Sequence, residues 1–302
     1  MQGDGDMAAM GDMTGKVVVL TGGTDGIGKA AAIAMARLGA RLTLMGRNAA
    51  KSEAARAEIV AQSGNAEVTV IPGDLASLAS VRAFAATVRE QLPRVDVLAN
   101  NAGAYQPKRR ETIDGNELTF ASNQLGPFLL TLELLDTLIA SASARILFTA
   151  SFAEHFNGVR FDDVQSAHRY APMTAYAQSK RANLLFAYAL ARRLRGTGVM
   201  VNAWHPGFVR SNIEGNRANP LIRAAAALFT TTPQRAARTL VWLASSPALD
   251  GVTGAYFSND KRAHSSRGSH DVAAQERLWR LCADLTGAPD IPLAAGSRND
   301  IV

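Results

Sequence analysis

The feature that most constrains the fold is a short strand-like run that leads directly into a glycine-rich turn. The run is Lys16–Thr21 (KVVVLT), and the turn continues as TGGTDGIG through Gly28 into an alanine-rich helical stretch. Such an unbroken run is typical of a strand buried on both faces of a parallel sheet. Glycine allows a sharp backbone bend and the close approach of a ligand. Because a helix begins at this turn, its free N–H groups predict an anion-binding site.

The same unit of strand and helix recurs along the chain, with no repeat or linker that divides it. The other strand-like runs are Arg41–Met45, Glu67–Ile71, Val95–Ala99, Arg145–Thr149, Val199–Ala203 and Ala255–Phe257. The helical stretches are Gly28–Leu38, Ala49–Gln62, Leu78–Gln91, part of Asp114–Ile139, Ala175–Leu194, Leu221–Phe229, Gln234–Ala244 and Val272–Leu285. Alternation with right-handed crossovers predicts an α/β fold, a single Rossmann-type domain with a doubly wound parallel β-sheet flanked by helices.

Length and composition fit one domain with frayed ends. The chain has 302 residues, of which 47% are hydrophobic, enough for a large buried core. We expect the domain to cover residues 14–286. A disordered N-terminal extension would cover residues 1–13, and a flexible C-terminal tail residues 287–302. The N-terminus lacks the basic and apolar segments of a secretory signal peptide.

Charge and cysteine content narrow the partners and the compartment. The net charge is +6, but the arginines are spread along predicted helices, and we interpret the tight cluster Lys108–Arg110 as a solvated loop. We therefore expect no nucleic-acid partner. The single Cys282 excludes an intramolecular disulfide and fits a reducing compartment, so we expect a cytoplasmic protein. No run approaches the ~18 apolar residues of a membrane span. His155 and His205 lack spaced partners, so we expect no metal.

Three motifs follow one another along the chain, and the first is the glycine turn itself. The glycines Gly22, Gly26 and Gly28 fit T-G-x-x-x-G-x-G rather than the common G-x-G-x-x-G spacing. Asn100–Gly103 (NNAG) follows the fourth predicted strand, and Tyr176–Lys180 (Y-x-x-x-K) lies on the helix after the fifth. With these motifs the chain resembles the short-chain dehydrogenase/reductase family over nearly the whole predicted domain.

The resemblance implies that the protein binds a nicotinamide dinucleotide. The implied contacts lie at the carboxyl ends of the strands and are Thr21, Gly22, Gly23, Thr24, Asp25, Gly26, Ile27, Gly28, Arg47, Asp74, Leu75, Asn100, Ala102, Gly103, Tyr176, Lys180, Pro206, Gly207, Val209 and Ser211. Asp74 would contact adenine, although it could also serve as a helix N-cap near Ser77. A pyrophosphate would repel Asp25, so we expect this carboxylate to point away or to cap the helix.

The residue after the second strand indicates which nicotinamide is bound. An NAD enzyme usually ends this strand with an acid that binds the ribose 2′-hydroxyl. Here the strand ends Leu44–Arg47 (LMGR), with a guanidinium and no carboxylate. Arginine pairs with phosphate oxygens through a planar fork and keeps its charge. We therefore predict NADP(H), with a contact between Arg47 and the 2′-phosphate. The alternative is that Arg47 only begins a solvated helix.

The candidate catalytic residues are Ser151, Tyr176, Lys180 and Asn123. Spacing of i and i+4 places Tyr176 and Lys180 on one helix face. A free tyrosine titrates near pH ~10, and a neighbouring ammonium should lower the pKa of the phenol. Ser151 would donate a hydrogen bond to the reacting oxygen. The resemblance implies that Lys180 also holds the nicotinamide ribose and that Asn123 supports a water-mediated proton path to Lys180.

Four short segments resemble one branch of the family, the retinol-dehydrogenase-like members. They are His205–Gly207 (HPG), Ala182–Phe186 (ANLLF), Tyr256–Ser258 (YFS) and Glu276–Trp279 (ERLW). The branch implies a carbonyl or alcohol substrate of lipophilic character, covered by a lid at about residues 207–232. The family also implies a homodimer formed through the helices within Asp114–Ile139 and Ala175–Leu194.

Two other functions fit the same scaffold. One is a non-catalytic, nucleotide-sensing regulator, since fold does not fix function. The other is an epimerase or dehydratase. The complete set Ser151, Tyr176, Lys180 and Asn123 disfavours a sensor, which has no need for proton transfer, and no enlarged C-terminal domain supports an epimerase.

Overall fold

Eight strands form one sheet in the part of the chain that the structure describes. The computed structural model describes residues 10–141, 143–207 and 231–289, together with residue 291. The strands are β1 (Val17–Thr21), β2 (Arg41–Gly46), β3 (Val68–Pro72), β4 (Val97–Asn100), β5 (Arg145–Thr149), β6 (Met200–His205), β7 (Tyr256–Ser258) and β8 (Lys261–Ala263). Their order is β3-β2-β1-β4-β5-β6-β7-β8, and every pairing is parallel except β7 with β8.

The strand order reverses direction between β1 and β4, which places the switch point of the sheet beside the glycine turn. All five residues of β1 are buried, and Val18 and Val19 have partners on both β2 and β4. A ligand-binding crevice forms outside the carboxyl ends of the strands at such a point. The predicted fold class, with parallel strands flanked by helices, is confirmed.

Helices cover both faces of the sheet. They are α1 (Gly26–Arg37), α2 (Ala49–Ser63), α3 (Leu78–Gln91), α4 (Leu118–Phe120), α5 (Gly126–Glu133), α6 (Leu135–Ile139), α7 (Pro172–Arg193), α8 (Pro233–Ser245) and α9 (Val272–Thr286). Side chains cap α1, α2 and α3 at Asp25, Asn48 and Ser77. None of the described helices is long and apolar enough to cross a membrane.

The helix expected within Asp114–Ile139 is broken into shorter pieces. Between α4 and α5 the backbone widens into a single π-helical turn, Ala121–Leu125. The amide of Asn183 on α7 donates a 2.6 Å hydrogen bond to the carbonyl of Asn123 within this turn. Widened turns of this kind occur at functional sites, and this one carries Asn123.

Strand β8 is not predicted from the sequence, because its residues carry no apolar pattern. Asn259 and Asp260, between β7 and β8, both have positive φ, as in the two-residue turns that join antiparallel strands. The Asn-Asp dipeptide was the available signal, because these residues tolerate the left-handed conformation.

Both ends of the packed structure extend past the predicted domain limits. Met13 is buried, and its N–H donates a 2.8 Å hydrogen bond to the carbonyl of Leu38. At the other end, Gly287 caps α9, and Arg193 donates a 2.9 Å hydrogen bond to the carbonyl of Ile291. Met13, Gly287 and Ile291, which were assigned to the extensions, therefore belong to the packed part of the chain.

The C-terminal helix α9 lies across α7 and α5. Trp279 packs against Phe128 and Phe186, with ring centroids 5.3 and 5.6 Å apart, and the guanidinium of Arg193 lies 3.9 Å from the Trp279 ring. Glu276 pairs with arginines of α7. The helices that sequence analysis assigned to a dimer contact are therefore covered within the chain.

Candidate functional site

The glycines of the turn are required by close backbone contacts. Gly22 has φ +68°, and a Cβ there would lie 2.9 Å from the Cα of Ala102. A Cβ on Gly28 would lie only 2.0 Å from the carbonyl oxygen of Gly22. The chain therefore folds back tightly under the first turn of α1, with Thr24 and Ile27 half-buried beside it. This packing aims the N-terminus of α1 at the crevice, where its free N–H groups favour an anion.

Asp25 caps this helix, one of the two arrangements expected for it. Its carboxylate accepts a 2.7 Å hydrogen bond from the N–H of Gly26 and pairs with Lys51 at 2.6 Å. The hydrogen bond from Lys51 is the main cause that lowers the pKa of Asp25. The negative charge next to the turn is thus compensated within the protein.

Arg47 lies just past the carboxyl end of β2 and is exposed. Its neighbour Gly46 is packed so closely that a Cβ would lie 2.2 Å from the hydroxyl of Ser52. Asn48 caps α2 through the N–H of Lys51. Among the described residues, none forms an ion pair with Arg47, so its guanidinium is available at the edge of the crevice.

Asp74 shapes the turn before α3. Its carboxylate accepts a 3.0 Å hydrogen bond from the N–H of Ala76, while Ser77 provides the helix cap. Leu75 is buried, and a Cβ on Gly126 would lie 2.4 Å from its carbonyl oxygen. The N-cap alternative for Asp74 is therefore wrong, and its contact with adenine stays a prediction.

Asn101, rather than Asn100, ties the neighbouring strand ends together. Its amide donates a 3.2 Å hydrogen bond to the carbonyl of Thr21, and the hydroxyl of Thr149 donates to its side-chain oxygen at 3.4 Å. The N–H groups of Asn101 and Ala102 donate to the Thr21 hydroxyl. Asn101 was not among the predicted site residues, although consecutive residues at a strand end point in opposite directions, which was the available signal.

Asn100 points away from the crevice. Its buried amide donates a 3.1 Å hydrogen bond to the hydroxyl of Thr131 on α5. The predicted contact of Asn100 with the cofactor therefore cannot come from this amide group, and a contact through its backbone stays a prediction. Ala102 and Gly103 do lie at the strand edge, and a Cβ on Gly103 would meet the ammonium of Lys180 at 3.4 Å.

Tyr176 and Lys180 lie on the same face of α7 beside the end of β5. The Lys180 ammonium is 5.7 Å from the centre of the Tyr176 ring and donates a 2.8 Å hydrogen bond to the carbonyl of Thr149. Burial lowers the pKa of Lys180 to about 8, so the group remains largely protonated at neutral pH. Burial also raises the pKa of Tyr176, and a hydrogen bond with Ser151 opposes that rise.

The expected lowering of the Tyr176 pKa by Lys180 is not found in this structure. Desolvation of the phenol is the largest effect, because Tyr105 and the surrounding elements cover the ring, with the Tyr105 ring edge-on at 5.9 Å. Ser151 supplies the partner that favours tyrosinate. Tyr176 nonetheless lies near both Ser151 and Lys180, and the catalytic roles of the three residues stay predictions.

Asn123 anchors the loop after β4 to α7. Its side chain accepts a 2.6 Å hydrogen bond from the N–H of Ala104 and donates to the Ala104 carbonyl at 2.9 Å. It also donates to the hydroxyl of Ser179 at 2.9 Å. Ser179 and Asn183, one turn apart on α7, are supporting residues that sequence analysis missed. Their i, i+4 spacing was the available signal.

The segment after β6 begins at the same edge. The N–H of Gly207 donates a 2.9 Å hydrogen bond to Nδ1 of His205, and burial is the main cause that lowers the pKa of this histidine. Pro206 follows the strand directly. Val209, Ser211, most of the predicted lid and the helix expected at Leu221–Phe229 lie outside the described residues.

Two exposed aromatic side chains follow Ser151 closely in the chain. Phe152 is 42% exposed and Phe156 60% exposed, unusual for residues of this size. The Phe152 ring stacks on His155 at 4.9 Å and lies 6.5 Å from His205. In the described part of the chain, no three histidine, cysteine or acidic side chains come together to hold a metal ion.

The fold and the site are those of a nicotinamide-dependent class of proteins, and the chain belongs to the short-chain dehydrogenase family. The family model described as short chain dehydrogenase matches residues 16–221. The protein is therefore an oxidoreductase of this family.

Within the family, the chain lies in the retinol-dehydrogenase-like branch. It is 39% identical over 295 residues to retinol dehydrogenase 14 of Homo sapiens, covering 92% of this chain and 88% of that protein. A crystal structure of an uncharacterised protein from Mycobacterium paratuberculosis matches with TM-score 0.77 at 31% identity, covering 95% of this chain and 98% of that one. The Pseudomonas aeruginosa RhlG/NADP active-site complex matches with TM-score 0.68 at 26% identity, covering 82% and 95%.

Proposed function

We propose that this protein is an NADP(H)-dependent oxidoreductase that interconverts a lipophilic aldehyde or ketone and the corresponding alcohol. The observation that carries the proposal is the position of Tyr176 on one face of α7 with the buried ammonium of Lys180, 5.7 Å from its ring, next to the segment that carries Ser151. Two hydroxyls and a cation can stabilise a substrate oxygen that gains negative charge during the reaction and then accepts a proton. Neither a sensor nor an epimerase is favoured by a separate observation.

The residues at the crevice fit a dinucleotide. The tight glycine turn leaves backbone and helix N–H groups for a pyrophosphate, and the small Gly103 leaves room beside Lys180. The exposed Arg47 suits a 2′-phosphate, and the related RhlG structure is a complex with NADP. Asp74, Leu75, Ala102 and the segment from Pro206 onward would complete the contacts.

The chain itself would handle the proton and orient the substrate. A bound nicotinamide supplies or takes up the hydride. Tyr176 gives a proton to the carbonyl oxygen, or removes it from the alcohol, while Ser151 donates a hydrogen bond that orients that oxygen. Lys180, whose ammonium donates to the carbonyl of Thr149, would hold the nicotinamide ribose, as the family resemblance implies. Asn123 holds the Ala104 loop and α7 in register, and its part in a proton path is a prediction.

The substrate class rests on the exposed aromatic side chains that follow Ser151. Phe152 and Phe156 expose aromatic surface there, where a hydrophobic substrate would cover it. The relative named retinol dehydrogenase supports the same class. The cytoplasmic location stays a prediction.

A fluorescence titration with NADPH and NADH tests the cofactor, and a panel of carbonyl compounds tests the reaction. We expect preference for NADPH and turnover of medium-chain aldehydes over small charged carbonyls.

Arg47→Ala should weaken NADPH binding roughly 10- to 100-fold, as expected for a charged hydrogen bond worth about 1.5–3 kcal/mol. NADH binding should hardly change.

The matched control is Arg37→Ala, because Arg37 is exposed on α1 and donates to the carbonyl of Gln62. Preference for NADH would contradict the role of Arg47. Binding without turnover of any carbonyl would favour the regulator.

A further inference from the structure

A buried carboxylate next to the site takes no part in the proposed proton transfer. Glu154 lies on the short 3-10 helix Phe152–His155 that follows Ser151, and its side chain is 0% exposed. One carboxylate oxygen accepts from the N–H of Ser266 at 2.8 Å and lies 3.0 Å from Nδ1 of His155. The other accepts from Nε of Arg181 at 2.9 Å and from the Ser266 hydroxyl. An ionised carboxylate, which only accepts hydrogen bonds, fits this ring of donors.

Arg181 connects Glu154 to the catalytic helix. Its guanidinium also donates to the backbone carbonyl of Glu154, at 3.1 Å from Nε and 2.6 Å from Nη2. The preceding residue, Lys180, donates to the carbonyl of Thr149. Two consecutive residues of α7 therefore fasten the segment that carries Ser151, one just before it and one just after it.

Glu154 also connects this segment to residues 265–269 near the C-terminus. Besides the two hydrogen bonds from Ser266, the hydroxyl of Ser265 lies 2.7 Å from that of Tyr188 on α7. Gly268 lies over Arg181, where a Cβ would be 2.4 Å from Nη1. Three separate parts of the chain thus meet at one carboxylate.

Stability alone is a weak reason for such an arrangement. A buried ion pair costs desolvation that its attraction barely offsets, so apolar residues of similar size are often as stable. What Glu154 and Arg181 provide is fixed geometry. Their hydrogen bonds set the distance between the turn after β5 and the helix that carries Tyr176.

We propose that Glu154 is a positioning residue, which through Arg181 and Ser266 holds Ser151 in hydrogen-bonding position with Tyr176. This inference rests on the proposed carbonyl–alcohol reaction. It predicts that substrate orientation depends on a glutamate that touches neither cofactor nor substrate.

The test compares Glu154→Gln with Glu276→Gln. Glutamine replaces one carboxylate oxygen with an NH₂ group, which cannot accept a hydrogen bond from the surrounding donors. Part of the set of hydrogen bonds around residue 154 must therefore be lost. Glu276 is a matched control, because it also joins α7 to the C-terminal part, pairing with Arg192 at 2.8 Å and with Arg193. We expect Glu154→Gln to lower kcat roughly 10- to 100-fold, the range for a displaced catalytic group, with NADPH affinity unchanged. Glu276→Gln should lower Tm and leave kcat unchanged.

A double-mutant cycle with Ser151→Ala separates positioning from a general structural effect. If Glu154 acts through Ser151, Glu154→Gln should cause little further loss of kcat in the Ser151→Ala background. Additive losses, or wild-type kcat in a folded Glu154→Gln, would overturn the inference. If Glu154→Gln does not fold, Ser266→Ala takes its place, with the same expectation of lower kcat. Wild-type protein without turnover would instead refute the proposed function.

Discussion

At the scale of single residues, burial sets the chemistry of the site. Lys180 is enclosed by α7 and the end of β5, and desolvation alone brings its pKa from 10.5 to about 8. Tyr176 responds to the same burial in the opposite sense, because its charged form is the deprotonated one. Keeping the buried Lys180 ammonium charged therefore costs the folded state free energy.

That penalty predicts a pH-dependent stability. Between pH 8 and 10.5 the unfolded chain binds the Lys180 proton and the folded chain does not, so the free energy of unfolding should rise with pH. Relative to Lys180→Met, wild type should gain about 3 kcal/mol across this interval, from roughly 2.5 pKa units at 1.36 kcal/mol each. Urea unfolding at several pH values measures it. A difference between the two proteins that does not change with pH would contradict the buried-cation account.

At the scale of elements, the sequence predicts what local patterns specify. The apolar runs and alanine-rich stretches locate the strands from β1 to β7 and helices such as α3, whose limits Leu78–Gln91 are reproduced without change. The glycine turn and the Y-x-x-x-K spacing locate the candidate site, since each is a contiguous motif on a known element.

Long-range contacts explain what the sequence does not predict. The π-helical turn at Ala121–Leu125 accompanies a hydrogen bond from Asn183, sixty residues away. Asn101 links the neighbouring strand ends because its side chain points toward Thr21 at the end of β1. The positioning role proposed for Glu154 depends on hydrogen bonds from Arg181 and Ser266, which are distant from it in the sequence. Such arrangements depend on tertiary packing, which overrides local pattern.

At the scale of the whole molecule, α9 closes one side of the domain. Trp279 packs against both Phe128 and Phe186, and the C-terminal half of α7 is buried beneath it. The family resemblance implied a homodimer through these very helices. Their apolar faces are already occupied, so the basis of that expectation is missing from this structure.

We therefore expect the mass of one chain in light scattering at micromolar concentration. Glu276→Gln, which removes ion pairs between α9 and α7, should leave this mass unchanged while lowering Tm. A stable dimer mass for wild type would show that another face associates, or that α9 moves away from α7.

The most direct test of the account is Tyr176→Phe, measured for NADPH binding and for carbonyl turnover in parallel. Tyr170→Phe is the control, because it also removes a phenol, one that donates to the carbonyl of Gln106 outside the catalytic group. We predict that Tyr176→Phe binds NADPH as wild type does and loses turnover by about 100-fold or more, as for removal of a general acid. Turnover retained within a few-fold of wild type would contradict it.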